Sequence, residues 1–495
     1  MKEGMTRRQF LGATAAGAIG LAAGAKLVRS AAASQTSLPP WTASKTRVGK
    51  IYIGGRGGWP SPTIDPKDDM KWIEGELAKL QPHFADIEFV DGGHVMNPNE
   101  LPAVKEKFKD VDGILLIHLS MFIGQYTKDL LTLNIPIIFL SLPYMGHDWC
   151  TMAALQRQGK KIELLATSDF KDLIPALRPI RAIHHLKRAR ILAFRNGGPL
   201  TDYAKAIKNR FGTEIKFLPR ERLIEAYKAV DENLAKAEAD RWMKEAEKVV
   251  EPTKEDVLKG SRVYFALKKI LEDEKAHLVT IQYCMGIEGL DGAYPCLGFS
   301  RLGGEGLGGI CEGDLPSSMT YLVFQYLTPE RKPGFVTDPI FDVSNNTVIH
   351  AHCTCALKMD GINGEQCPYK IRCQREGQRG SCLQVKPHVG RETTMAKLVD
   401  DHTMLVSAGK IVEIPDVEDR ACRSKFTTKV KDARKMADNW FYGLHRIVLY
   451  GDHLDDMRRL GRFLGLKVLE EAVDEIHPTP EWVERDTNIY ASYPI

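Results

Sequence analysis

The most informative stretch of this sequence is a glycine-rich segment that ends in two acidic side chains. It runs Gly303-Gly-Glu-Gly-Leu-Gly-Gly-Ile-Cys-Glu-Gly-Asp314, and a helix is predicted to follow it to about Leu327. Glycines let the backbone approach another group closely, and carboxylates at a helix N-terminus are exposed and directional. Glu312 and Asp314 are therefore candidates for a functional site. The structural alternative is that Asp314 is only a helix N-cap and Glu312 only a surface charge.

Two histidines lie two residues apart further along the chain. The segment Thr347-Val-Ile-His-Ala-His-Cys353 predicts a strand, so His350 and His352 project from one face of it. Two imidazoles on one face can share a divalent metal ion. The alternative is that one histidine is packed in the core while the other is solvated. His445, at the start of another predicted strand, indicates little by its position alone.

Cysteines are concentrated in one part of the chain. Their density allows disulfides suited to an oxidising compartment, a structural zinc or iron–sulfur site, or unpaired buried thiols. No doubled Cys-x-x-Cys motif is present, so the sequence favours one or two disulfides without giving their connectivity. The candidates for a disulfide or a second metal site are Cys353, Cys355, Cys367, Cys373 and Cys382, and Cys422 follows at a distance.

The elements that must position these residues follow two patterns. Apolar β-branched runs first alternate with helical patterns, which is typical of parallel sheets buried on both faces. The alternation restarts at Ala189, and from about Phe335 it gives way to β-type segments with many turns. The sequence therefore predicts an α/β fold with two Rossmann-like parallel-sheet domains followed by a β-rich C-terminal domain.

The individual elements can be placed within this division. Strands are predicted at residues 48–53, 87–90, 113–119, 136–142, 189–194, 214–218, 276–283, 347–352, 403–406, 410–414, 446–450 and 467–469. Helices are predicted at residues 70–80, 202–211 and 454–464, along one long charged stretch at 220–250, and after a capping box formed by Thr253 and Asp256.

The domain boundaries follow from these changes of pattern. We expect a linker at residues 34–45, an N-terminal α/β domain at 46–183, a second α/β domain with the acidic motif at 184–345, and a β-rich domain with the cysteine cluster at 346–495. His184 and His185 lie at the start of the second domain beside several basic residues. This composition predicts an exposed interdomain hinge.

Residues 1–33 have the layout of a twin-arginine signal peptide. Arg7-Arg8-Gln9-Phe10-Leu11 precedes a short apolar run, and small residues follow at Ala31-Ala32-Ala33. The apolar run is shorter than the roughly 20 residues that a membrane-spanning helix needs. The sequence thus predicts export by the twin-arginine translocase, followed by work in the periplasm or outside the cell without stable membrane insertion.

The charge of the mature chain argues against nucleic-acid binding. The formal net charge is +4, but five basic residues and one acidic residue fall within residues 1–33, so the mature chain has no net charge. Nothing in this balance attracts nucleic acid or an anionic membrane.

These motifs resemble the L-fucose isomerase and L-arabinose isomerase family, in particular an isomerase-like branch with a twin-arginine signal. The similarity spans about residues 280 to 470, and the N-terminal half agrees only as an α/β architecture. The matching elements are Cys311-Glu-Gly-Asp-Leu-Pro-Ser-Ser-Met-Thr320, Asp338-Pro339, Asn345-Asn346, Ala351-His352-Cys353, Pro368-Tyr-Lys-Ile-Arg372 and His445-Arg-Ile-Val-Leu-Tyr-Gly-Asp452.

The resemblance implies a divalent metal, usually Mn²⁺, held by acidic residues and a histidine in a cleft. It implies that Asp314 is a metal ligand and proton-transfer residue, that His445 is a metal ligand, and that Glu312 lies beside them. A further acidic residue is expected about two dozen positions earlier, where Glu288 has the spacing and Glu305 competes with it. Family members usually form oligomers, which implies a homo-oligomer here.

The resemblance also implies a substrate-binding segment after Pro368-Tyr369. Here the chain has Arg372-Cys-Gln-Arg-Glu376, where the family pattern predicts a histidine and a serine. Arg372 and Glu376 are the candidate substrate-binding residues of this segment.

The implied activity is metal-dependent aldose–ketose isomerisation of a sugar. A metal chelated by neighbouring carbonyl and hydroxyl oxygens acidifies the C–H bond and stabilises an enediolate, while paired carboxylates move the proton. An oxygen-rich site of this kind suits manganese or magnesium. Two alternatives remain: an exported sugar-binding protein without catalysis, and a metal or redox protein centred on the cysteine cluster.

Overall fold

The computed structural model describes residues 37–57, 59–194, 202–282, 289–415, 417 and 420–478. The predicted signal peptide and Glu288 lie outside these residues. No helix within them is long and apolar enough to cross a membrane. The chain divides into two compact units, one containing Lys45–Leu177 and the other Ser37–Ser44 together with Arg178–Ile495. The domain boundaries expected at residues 184 and 346 stay predictions.

The first unit is built on a five-stranded parallel sheet of order β2-β1-β3-β4-β5. Every residue of β3 and β4 is buried, as expected for strands covered on both faces. The strands are β1 Thr46–Ile53, β2 Ile87–Val95, β3 Gly113–His118, β4 Ile137–Ser141 and β5 Ile162–Ala166. The helices are α1 Pro66–Lys79, α2 Leu101–Lys107, α3 Gly124–Leu130 and α4 Trp149–Arg157, and α5 Leu173–Leu186 crosses the boundary between the units.

The second unit begins with a four-stranded parallel sheet of order β10-β9-β6-β7. Its strands are β6 Arg190–Phe194, β7 Glu214–Leu218, β9 Leu278–Ile281 and β10 Gly308–Ile310, and the short β8 Lys248–Val249 belongs to another sheet. The helices are α6 Asp202–Phe211, α7 Arg220–Ala229, α8 Glu232–Glu245, α9 Lys254–Asp273, α10 Cys296–Gly303 and α11 Leu315–Leu327.

A closed antiparallel barrel forms most of the β-rich C-terminal region. Six strands pair in the order β15-β18-β11-β12-β17-β16, and pairing of β15 with β16 closes the ring. A seventh strand, β19, adds to β16 in parallel, and β13 and β14 form a small sheet with β8. The bounds are β11 Phe335–Asp342, β12 Thr347–His352, β13 Tyr369–Arg372, β14 Cys382–Val385, β15 Glu392–Leu398, β16 Thr403–Glu413, β17 Ser424–Val430, α12 Ala433–Asp438, β18 Arg446–Tyr450, α13 Leu454–Leu464 and β19 Lys467–Glu470.

The predicted fold class is confirmed, and three local predictions differ from the structure. The stretch at 220–250 is two helices, because Asp231 accepts backbone N–H bonds from Asn233 and Leu234 and so starts a new helix. The segments at 403–406 and 410–414 are one continuous strand, β16. The prediction of an exposed hinge is wrong, since His184 and His185 are both buried. The ring of His185 stacks on that of Tyr326, with ring centroids 5.1 Å apart. Packing of the helix face that carries both histidines decides their burial, and the basic residues beside them do not make the segment exposed.

Candidate metal centre

The acidic motif lies in a tight turn between β10 and α11. Glu312 and Gly313 both adopt a φ of +66°. A Cβ atom at Gly313 would lie 3.0 Å from the Cα of Gln282, so the turn needs glycine there. Asp314 then caps α11, its Oδ1 accepting the backbone N–H of Ser317 at 2.8 Å. The turn therefore presents Glu312 and Asp314 together at the carboxyl end of a parallel strand.

Asp314 is more than a helix cap, because its other oxygen binds a histidine. Nδ1 of His445 lies 2.9 Å from Oδ2 of Asp314, and Ser317 Oγ donates to the same oxygen at 2.6 Å. A carboxylate only accepts, so Nδ1 of His445 carries the proton of this bond. The structure shows the helix cap and the contact with His445 in one side chain. Metal ligation and proton transfer by Asp314 stay predictions.

The second nitrogen of His445 faces the remaining carboxylates. Nε2 lies 3.2 Å from Oδ1 of Asp338 and 3.6 Å from Oε2 of Glu312. No acceptor in the described part of the chain meets the directional requirements of a hydrogen bond to this buried atom. A buried imidazole nitrogen without an aligned partner fits a metal ligand.

Three side chains from separate elements converge at this nitrogen. Glu312 comes from the turn before α11, His352 from the end of β12, and His445 from the residue before β18. One ligand atom from each lies within 4.8 Å of the others, and the two imidazole rings meet edge to face with centroids 5.6 Å apart. Two imidazoles and a carboxylate are donors that suit manganese, iron or zinc. The described residues thus contain a possible His/Glu metal-binding triad.

The charges of the centre favour a cation. Burial lowers the pKa of His445, but the carboxylates of Asp314 and Asp338 outweigh it and raise that pKa to about 10. Burial raises the pKa of Asp314, yet Lys397 and His445 hold it well below its usual range. The same balance holds for Asp338. Burial raises its pKa, but the contact with His445 outweighs burial, and the pKa is lowered. The carboxylates are therefore anionic, and a metal ion that displaces the second proton of His445 would bind Nε2 in their negative potential.

Of the two predicted substrate-binding residues, Glu376 is the one whose carboxyl group interacts electrostatically with the acidic residues of this centre. Partial burial of its carboxyl group and the negative charges of Glu312 and Asp338 raise the pKa of Glu376. The rest of the side chain is exposed. The loop between β13 and β14 thus brings a carboxyl group with a raised pKa towards the side chains of the possible triad.

Arg372 is engaged elsewhere. Its Nε donates to both carboxylate oxygens of Glu251, at 2.8 and 2.9 Å, and its Nη1 donates to Gln384 at 2.8 Å. This buried side chain ties β13 to the segment after β8. The contacts give Arg372 a structural role, and its predicted substrate contact stays a prediction.

Glu305 belongs to a different cluster from the triad. Its Oε1 accepts a hydrogen bond from Tyr264 at 2.7 Å, and its Oε2 lies 2.9 Å from Nζ of Lys268. The negative charge of Glu305 is therefore compensated by a lysine of α9. The structure does not bring Glu305 into the group around His445, and the competing candidate, Glu288, lies outside the described residues.

His350 does not join His352 in the possible triad. Its Nε2 lies 2.8 Å from Oγ1 of Thr428, its Nδ1 lies 3.2 Å from Oγ1 of Thr337, and its ring is fully buried. Burial lowers its pKa to about 3, so it is neutral. Of the two histidines predicted to share an ion, one packs in the core and the other belongs to the triad.

The five cysteines of the predicted cluster do not form one group, since four of them belong to two separate core clusters and Cys373 belongs to neither. Cys355 and Cys367 lie in the main core of the second unit. Cys353 and Cys382 pack with Cys296, Cys422 and Tyr294 in a smaller cluster. Cys373 accepts a hydrogen bond from Arg423 at 3.1 Å on its Sγ. All nine cysteines of the described part carry free thiols, so the structure shows none of the predicted disulfides among them.

Sequence reasoning missed two charged residues of the centre. Asp338 stood in a matched motif, Asp338-Pro339, but no role was attached to it. Lys397, a buried lysine on β15, lies in a segment without any motif. Its charge acts on Asp314 because long-range pairing sets β15 beside β18. An acidic residue in a matched motif was a usable signal, whereas Lys397 had none.

Comparison with known proteins adds no assignment. A scan of the chain against protein-family models gave no match. A search of curated protein sequences found no significant relative.

Proposed function

We propose that this protein is a metal-dependent sugar isomerase-like enzyme that moves a proton between adjacent carbons of a monosaccharide or sugar derivative. The observation that carries the proposal is the convergence of Glu312, His352 and His445 within 4.8 Å. The motif resemblance to the L-fucose and L-arabinose isomerases supports the sugar as substrate, and the twin-arginine start supports export to the periplasm or beyond. A homo-oligomer is part of the same proposal.

Glu312, His352 and His445 would hold the ion. Asp338 lies beside Nε2 of His445, 3.2 Å away. The ion, proposed as Mn²⁺, would polarise a substrate oxygen as a Lewis acid. Two imidazoles broaden the range of suitable metals beyond the oxygen-rich site implied by the sequence, since imidazole also suits iron and zinc.

The remaining side chains would orient the ligands and move the proton. Asp314 fixes the ring of His445 through Nδ1, as outer carboxylates do for metal-binding histidines. Glu376 offers a carboxyl group in the open loop beside the centre, where burial and the nearby negative charges raise its pKa, and a carboxyl group of this kind can act as a general acid or base. Substrate would approach from the side of this exposed loop.

The test combines metal analysis with isotope exchange. The full chain is purified after export, and its metal content is measured by mass spectrometry beside that of His445→Ala. A matched control is His83→Ala, an exposed histidine of the first unit. L-Fucose and L-arabinose are then incubated with the metal-loaded protein in D₂O, and deuterium at C2 is followed by NMR.

Near-stoichiometric metal in the wild type and the control, its loss in His445→Ala, and deuterium incorporation would together support the proposal. Metal without exchange on either sugar would favour a binding protein. If His445→Ala retains the metal, the ion is bound elsewhere in the protein, and the proposal is contradicted.

A further inference from the structure

The first unit contains a cleft lined by aromatic side chains, apart from the metal centre of the second unit. It has a volume of about 570 Å³, within the range of small-molecule sites. Its walls come from the segments that follow β1, β4 and β5, at the carboxyl edge of the parallel sheet, where open α/β sheets bind ligands. The lining residues that carry the argument are Trp59, Tyr144, His147, Trp149, Thr167 and Ser168.

Large aromatic rings are exposed at this edge. Tyr144 is 50% and Trp149 46% exposed, and the neighbouring Phe122 is 83% exposed. Scattered apolar residues on a surface are ordinary, but a cluster of exposed aromatic rings around a concavity marks an interaction site. Flat aromatic faces can stack against the C–H face of a ring-shaped ligand.

The backbone holds these rings outward at a conformational cost. Phe122 and Tyr144 adopt φ values of +71° and +70°, a region that residues other than glycine rarely enter. Asp148 fixes this arrangement by accepting the backbone N–H groups of both Phe122 and Ile123 at 2.9 Å. Costly backbone conformations that are over-determined by their surroundings concentrate at ligand sites.

The floor of the cleft is equally constrained. Gly146 has a φ of +145°, and a Cβ atom there would lie 2.9 Å from the ring of His118. His118 is fully buried, with Nδ1 lying 3.3 Å from Oγ of Ser141. The loop that carries Tyr144 and Trp149 therefore follows a fixed path over the sheet.

Polar groups at the cleft supply hydrogen bonds for a ligand. The indole Nε1–H of Trp59 is buried and has no acceptor in the described part of the chain, although its ring packs against His147 with centroids 4.8 Å apart. The exposed side chains of His147 and Ser168 face the same cavity. An unsatisfied buried donor calls for an acceptor, which a ligand hydroxyl provides.

We infer that this cleft is a carbohydrate-binding site, formed by the first unit alone, in which a sugar ring stacks on Trp149 and a hydroxyl accepts the N–H of Trp59. The ligand class follows from the combination of aromatic faces with a few hydrogen-bonding groups and no charged lining residue among those at the cleft. A charged metabolite would find no counter-ion there.

The experiment measures sugar binding without the metal centre. The full chain is treated with excess chelator and titrated with L-fucose, D-galactose and lactose, and binding is followed by tryptophan fluorescence and saturation-transfer NMR. The variants are Trp149→Ala, which removes the stacking face, and Trp59→Phe, which keeps a ring but removes the donor. Leu234→Ala, an exposed apolar residue of the second unit, is the control.

We expect at least one sugar to bind with a Kd on the order of millimolar. Trp149→Ala should weaken binding about tenfold and Trp59→Phe by a few fold, and Leu234→Ala should not change it. Absence of binding by all three sugars, or binding unchanged in both tryptophan variants, would overturn the inference. Metal content and proton exchange at the metal centre are not involved, so the two proposals fail separately.

Discussion

Oδ2 of Asp314 lies 2.9 Å from Nδ1 of His445, and this bond leaves Nε2 of the same ring near the carboxylates of Glu312 and Asp338. The pair joins the N-terminus of α11 to the start of β18, two elements more than a hundred residues apart. The helix cap and the proposed metal ligand are thus one connected unit, and disturbing either residue should affect the other.

Asp314→Asn should weaken metal binding by about 10- to 100-fold, because loss of an outer carboxylate makes its histidine a poorer and less oriented ligand. The check is a competition titration with a metal chelator. Asp231→Asn is the matched control, since Asp231 also caps a helix but contacts no histidine through that cap. Equal affinity in both variants would contradict an orienting role for Asp314.

Manganese should stabilise the folded protein by mass action. At a free concentration of 100 times Kd the added stability is about 2.7 kcal/mol, which raises Tm by a few degrees in a protein of this size. His445→Ala should abolish the shift, and the exposed His83→Ala should retain it. A shift of the same size in His445→Ala would show that the ion binds elsewhere.

Acidification should destabilise the protein through histidines that are buried in the neutral form. The pKa is lowered by burial to about 3 in His350 and, with help from the charge of Arg331, to about 4 in His277. The unfolded chain takes up these protons near pH 6.5 while the folded chain does not. The free energy of unfolding therefore falls as pH drops below about 6.5, by about 1.4 kcal/mol per pH unit for each such histidine.

Urea unfolding of the wild type and of His350→Gln at several pH values between about 7 and 5 isolates one of these contributions. Glutamine can still bond Thr428 but does not titrate. The free energy of unfolding of the variant should fall less steeply with decreasing pH, by the contribution of one proton, about 1.4 kcal/mol per pH unit. Parallel curves for the two proteins would mean that His350 is protonated in the folded state.

Arg372→Met should lower stability, because it leaves the carboxylate of Glu251 without its main partner. Removing one member of a buried ion pair costs about 3–5 kcal/mol, and since the Glu251 side chain is 34% exposed, solvent reduces the expected loss to about 2 kcal/mol. The control is Arg47→Met, which breaks an exposed pair with Glu88 and should cost less than about 1 kcal/mol. Unchanged stability together with a raised KM for sugar would instead support the substrate contact predicted from the sequence.

Thiol labelling should distinguish the free cysteines of the structure from the disulfides favoured by the sequence. In the native protein Cys150, the exposed cysteine of the described residues, should react first with an alkylating reagent, and Cys422 should follow more slowly. After denaturation without reductant every cysteine should react. An intact mass short by two or more labels would reveal a disulfide.

The sequence determined the elements and the types of residue at the centre. Alternation of apolar runs located β3 and β4, the capping box predicted the start of α9, and strand periodicity gave β12 its bounds. The motifs singled out Glu312, Asp314, His352 and His445. Each of these inferences depends on local backbone preference or on a side-chain type, which a linear sequence carries directly.

Only the tertiary structure decided which of these residues meet. Strand pairing within the barrel sets β12 beside β11 and β11 beside β18, so that His352, Asp338 and His445 converge, while Glu305 pairs with Lys268. His350 and His352 share a strand face, yet one lies in the core and the other in the metal-binding triad. Long-range pairing of strands fixes such distances, and no pattern of neighbouring residues encodes them.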